Sequence, residues 1–132
     1  MSANPETTFA HGVNRHLPDE VYREKMNNPY RGGTPDYFYE LHRQLWVEYK
    51  FIEVPKRAGT IIHPNLSALQ LTWLKRNHAN GHGPLVVVGS RQGGIVLRDP
   101  RSWTYGFSAG AFVRSVLTKQ VIASQILKAV SP

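Results

Sequence analysis

The chain has 132 residues and a mass of 14.9 kDa, the size of one domain with little left for a second. Hydrophobic residues make up 41% and charged residues 19%, so a packed core is expected rather than disorder. Sixteen Lys and Arg against nine Asp and Glu leave a formal charge of +7, which points to a polyanionic partner. The absence of cysteine excludes disulfides, a thiol nucleophile and thiolate zinc sites.

In chain order, Asn4-Pro5 has the form of an N-cap and first helical residue, and Phe9, Val13 and Leu17 follow as one helical stripe. Pro18 ends this element. Val21 to Met26 is short and ambiguous, and residues 27–33 read as a loop. Asp36 to Leu41 and Leu45 to Ile52 are strand-like, and His42-Arg43-Gln44 is short enough to join them as a hairpin. Residues 55–64 form a basic loop. Ser67 caps a helix whose apolar face is Leu69, Trp73 and Leu74, and Asn80-Gly81 stops it. Leu85 to Val88 is a buried strand, Arg91-Gln92-Gly93-Gly94 a turn and Ile95 to Arg98 a further strand. Residues 101–110 look irregular, and one helix is expected from about Ala111 to Val130. This order predicts an α/β (α+β) domain with a mixed sheet.

The N-terminus has neither the basic start nor the apolar stretch of a signal peptide. The longest strongly apolar run, Leu85 to Val88, falls far short of the ~20 residues that span a bilayer. The expectation is a soluble cytoplasmic protein with no membrane partner. Charge divides sharply along the chain. Residues 1–53 hold six basic and eight acidic residues, a net of −2, whereas residues 54–132 hold ten basic residues and only Asp99, a net of +9. The carboxylates available for chemistry therefore lie in the first half, and the positive potential lies in the second.

Pro35-Asp36 and Glu48-Tyr49-Lys50 carry the most chemical information. Alternation along a strand puts Glu48 and Lys50 on one face, and a short hairpin brings Asp36 beside Glu48. Adjacent carboxylates repel unless a cation lies between them, and hard oxygen donors suit Mg²⁺ or Mn²⁺. Lys50 is placed to orient a water or to neutralise charge developing on a phosphate. Taken singly, these residues also read as a surface acid after a turn and an exposed ion pair. Pro18-Asp19, a second Pro-Asp, has no acid-x-Lys after it at short range and reads as a turn.

Gly33-Thr34-Pro35-Asp36, Trp46-Val47-Glu48-Tyr49-Lys50, Leu66 to Leu74, Gly81 and Leu85 to Val88 together resemble the PD-(D/E)XK nuclease superfamily. They are most similar to its virus-type replication-repair nuclease (VRR-NUC) and Holliday-junction-resolvase-like branch, found in small phage proteins. The resemblance covers roughly residues 6–98. It implies a restriction-endonuclease-like αβββαβ core with a central mixed sheet flanked by helices. It further implies that Asp36, Glu48 and the carbonyl of Tyr49 bind Mg²⁺ or Mn²⁺, that Lys50 serves the attacking water, and that Glu6 and Gln70 complete the site. Both have ordinary explanations too, Glu6 as an acid in a first helical turn and Gln70 as an exposed helix residue.

The division implied is a nuclease core over 1–100 and a C-terminal helical extension over 101–132, packed on the core or forming a homodimer interface. The expected activity is metal-dependent hydrolysis of phosphodiester bonds in DNA, duplex or branched, by an endonuclease selective for structure. The expected setting is phage replication, repair or recombination in the host cytoplasm. An inactive DNA-binding or host-interacting protein, and a sequence-specific or exonucleolytic nuclease, remain as rivals. Lys56, Arg57, Lys75, Arg76 and Arg91 are the candidate DNA contacts. His78 and His82 read as surface histidines at a helix end, and Gly89 to Gly94 as a turn rather than a phosphate loop.

Overall fold

The computed structural model describes residues 4–26 and 32–132. Most of the loop expected over 27–33 lies outside the described residues. Asn4 caps α1 (Pro5–Asn14) by accepting from the Glu6 amide at 2.9 Å, with Pro5 in the first turn. The segment of ambiguous pattern is β1 (Tyr22–Lys25), which pairs antiparallel with β2 (Tyr37–Glu40). The expected hairpin forms between β2 and β3 (Gln44–Phe51), with Tyr37 opposite Val47. The chain then passes through β4 (Ile61–Ile62) and α2 (Ala68–Ala79) to β5 (Leu85–Ser90), parallel to β3, and turns back as β6 (Gly93–Leu97).

The result is a mixed five-stranded sheet in the order β1-β2-β3-β5-β6, flanked by helices, the fold class expected. Alternation in β3 sorts its side chains. Leu45, Val47 and Tyr49 enter a core with Phe9 and Val13 of α1, and Trp46, Glu48 and Lys50 face the other side. β5 is buried on both faces, as its run of valines requires: Leu85 and Val87 join that core, and Val86 and Val88 join a second one with Leu74 and Trp103. Gly89 is small for a reason, since a Cβ there would meet the Phe9 ring at 2.6 Å.

The last third departs from expectation. Residues 101–110 are not irregular. Asp99 caps α3 (Pro100–Tyr105), and β7 (Phe107–Ser108) pairs with β4 as a separate two-stranded ladder. The single helix expected from Ala111 is two, α4 (Ala109–Ser115) and α5 (Lys119–Val130). The break comes where Leu117 exchanges two backbone hydrogen bonds with Gly94, at 2.7 and 2.9 Å, extending the sheet edge by one bridge. Thr118 then caps α5, whose Ile122, Ala123, Ile126 and Val130 are buried in the core with α1. Among the described residues no helix is long and apolar enough to cross a membrane.

Candidate active site

The site is built on the β2–β3 pair. Extending the register by one residue from Tyr37 and Val47 sets Asp36 opposite Glu48, at the mouth of the hairpin's open end. Asp36 is anchored there by its own neighbour strand: its Oδ2 accepts from the Tyr49 amide at 3.1 Å. Glu48 is 2% exposed, and Lys50, two residues on, brings its Nζ to 3.8 Å from Glu48 Oε2.

Gln70 reaches the same oxygen from α2, its Nε2 donating at 3.3 Å. The rest of that side chain is occupied by the capping box. Ser67 Oγ accepts from the Gln70 amide at 3.1 Å, and Gln70 Oε1 accepts from the Ser67 amide at 2.9 Å. The cap thus fixes which end of the amide faces Glu48: the oxygen is held by Ser67, so the NH₂ is turned to the carboxylate.

Burial pushes the Glu48 carboxyl up to about 9, and the adjacent Asp36 adds to this by charge and by hydrogen bonding, against the opposing pull of Lys50. With both acids ionised, Glu48 Oε1 is buried and has no hydrogen-bond donor. An unpartnered buried carboxylate oxygen is costly and calls for a proton or a cation. Glu6 approaches from α1, across the sheet edge. Its carboxyl is also raised, first by burial and then by Asp36, with Lys50 lowering it. Glu6, Asp36 and Tyr49 line a pocket of about 210 Å³ together with Asn4, Thr7 and Lys25.

These donors fit a divalent cation in kind: two hard carboxylates on adjoining strands, one with an oxygen lacking any donor. Among the described residues no three His, Asp or Glu side chains form a ready cage, so two carboxylates leave room for water and phosphate oxygens.

Of the residues singled out in the sequence, Asp36, Glu48, Lys50 and Gln70 come together, Tyr49 lies between them and Glu6 borders them. Lys56 and Arg57 are exposed in the loop after β3. Arg91 is exposed in the β5–β6 turn and shares a shallow depression with Ile52, Glu53 and Val54 at the end of β3. Lys75 and Arg76 are exposed on α2, one to two turns beyond Gln70. Two contributors escaped the sequence reading. Lys25 enters the pocket from β1, its Nζ donating to Thr7 Oγ1 at 3.2 Å. Beneath Tyr49, its hydroxyl shares a 2.8 Å hydrogen bond with that of Tyr39, which lies 2.6 Å from Asn14 Oδ1. Buried tyrosines need such partners, and three of them at alternate strand positions (Tyr37, Tyr39, Tyr49) were the visible signal.

No protein-family model and no curated protein matches this sequence. The fold does have a counterpart. The solved structure of Hjc, a Holliday junction resolvase from the archaeal hyperthermophile Archaeoglobus fulgidus, matches with a TM-score of 0.53 at 12% identity, over 91% of this chain and 96% of that one. At that identity the likeness is one of fold, and the mixed sheet with its flanking helices is the architecture this chain shares with the resolvase.

Proposed function

We propose that this protein is a divalent-metal-dependent endonuclease that cuts branched DNA, of the PD-(D/E)XK type and its VRR-NUC branch, serving replication, repair or recombination of a phage genome. The observation that carries the reading is the buried Glu48, with one oxygen held by Gln70 and near Lys50, the other without a donor, and Asp36 alongside. The resolvase fold and the excess of Lys and Arg support DNA as the partner.

Asp36, Glu48 and the Tyr49 carbonyl hold the Mg²⁺ or Mn²⁺ ion, with Glu6 at the margin. The ion, when bound, polarises the scissile phosphoryl group and lowers the pKa of bound water. The protein's own groups do the rest. The Tyr49 amide fixes Asp36, and the Gln70 amide fixes one oxygen of Glu48 so that the other points inward. Lys50, 13% exposed and close to Glu48, orients the attacking water and offsets charge developing on phosphate. Lys56, Arg57 and Arg91, beyond the end of β3, hold the DNA backbone, with Lys75 on α2 as an outlying contact. Contacts of that type read shape rather than sequence, in keeping with a junction substrate.

The test is cleavage of four-way junction, linear duplex and plasmid DNA with Mg²⁺, Mn²⁺ or EDTA. Metal-dependent cutting of the junction in preference to the duplex is expected. No cutting of any substrate removes the enzyme, and equal cutting of all removes the selectivity.

A further inference from the structure

The sheet face that bears Glu48 continues past the site as a row of aromatic rings that nothing in the chain covers. Tyr22 of β1 packs edge-on against Phe38 of β2 at 6.3 Å, Phe38 against Trp46 of β3 at 5.0 Å, and Trp46 against Trp73 of α2 at 5.5 Å. Tyr22 is 53% exposed, and Phe38, Trp46 and Trp73 are each only partly buried. The row ends on α2, which buries Leu74 alone of its twelve residues. Leu69, 62% exposed, Trp73 and the exposed Arg76 fall at i, i+4 and i+7, a single stripe facing away from Leu74. A contiguous apolar surface of this kind, rimmed by polar groups, marks an interaction site.

The charges at its rim identify the partner. On the strand side the aromatic row is flanked by acids. Glu40 stands opposite Tyr22 in the register and also accepts from Gln44 at 2.9 Å, while Glu24 accepts from the Tyr22 hydroxyl at 3.0 Å. Carboxylates in these positions repel a phosphate backbone, so nucleic acid is a poor occupant. On the helix side the same surface carries Arg76. One surface that is acidic and aromatic at one end, basic and aromatic at the other, is complementary to itself when turned by a two-fold axis.

We infer that this face is the interface of a homodimer in which the Leu69-Trp73-Arg76 stripe of one copy lies on the Tyr22-Phe38 surface of the other, with Arg76 facing Glu24 and Glu40. Tyr, Trp and Arg are the residue types that anchor such contacts. The inference stands apart from the catalytic reading, since it uses no residue of the site. Only its consequence depends on that reading: two sites related by a two-fold axis suit a junction that must be cut on two symmetric strands.

Analytical ultracentrifugation of the full chain at micromolar concentration tests it directly. The expected mass is twice 14.9 kDa. Arg76→Glu alone, and Glu24→Lys with Glu40→Lys, should each sediment as monomer, with the circular dichroism of the parent. Combining all three substitutions re-pairs the charges and should restore the dimer. A monomeric parent, single-side variants that remain dimeric, or a combined variant that stays monomeric would each overturn the proposal. So would tryptophan quenching of a monomeric parent by oligothymidylate, which would make the row a base-stacking platform instead.

Discussion

Two helices of this protein are each twelve residues long and are used in opposite ways. α5 buries Ile122, Ala123, Ile126 and Val130 against α1 and the sheet, and it donates no residue to the candidate site. α2 buries only Leu74, yet it delivers Gln70 to Glu48. The same division runs through the two faces of β3. Leu45, Val47 and Tyr49 are core, whereas Trp46, Glu48 and Lys50 on the opposite face are chemistry and surface. Stability is concentrated on one side of the sheet and function on the other. A buried carboxylate is tolerable beside a core that does not depend on it.

The largest effect expected is on the functional face. Lys50→Ala should lower the cleavage rate by about 10²–10⁴-fold, the usual span for loss of a group acting on protons or charge in the transition state. Its melting temperature should stay near that of the parent. A collapse of both together would dissolve the division between the faces. On the structural face, Ile126→Ala should cost about 2–5 kcal/mol in denaturant unfolding, because it opens a cavity in the densest packing. Leu69→Ala, the comparable truncation on α2, should cost no more than about 0.5 kcal/mol in dilute monomeric protein.

A pH titration sharpens the contrast further. In the folded, metal-free protein Glu48 keeps its proton up to about 9, against an ordinary value of 4.5. Folding therefore takes up a proton between these limits. Its stabilising contribution is full below the lower value and is lost as pH rises through the upper one. Melting in EDTA should thus show stability declining from about pH 5 to pH 9, and Glu48→Gln should flatten that slope. A slope unchanged by the substitution would assign the dependence to other groups. The smallest effect is reserved for Gln70→Ala, which should weaken Mg²⁺-dependent cutting by about 10–100-fold through the freed carboxylate.

Much of this was legible in the chain. Asn4-Pro5 and Ser67 announced their helices, and Asp36, Glu48 and Lys50 announced one another through strand alternation and a short connection. The misses have physical causes. Asp99-Pro100 starts a helix by the same cap-and-proline chemistry as Asn4-Pro5, but the helix is too short to show a period. The break at Leu117 has no Gly or Pro to mark it. It arises from long-range pairing with Gly94, which no local pattern contains. Leu69 counts as apolar in any helical stripe, and its exposure follows from which way α2 is rolled, a tertiary matter. Lys25 was hidden for a similar reason: β1 is four residues long, and only its pairing with β2 brings that cation to Glu6 and Asp36.

The Gln70 side chain has a consequence of a different kind. One amide both closes the first turn of α2 and grips the buried acid. Whenever that turn frays, Glu48 loses its guide at the same moment. The helix end therefore works as an interlock: the carboxylate is aimed only in molecules whose last long-range segment, the crossover from β3 to β5, has wound into place. A defect at Ser67, nineteen positions from Glu48 in the chain, would be felt first in chemistry and only afterwards in folding.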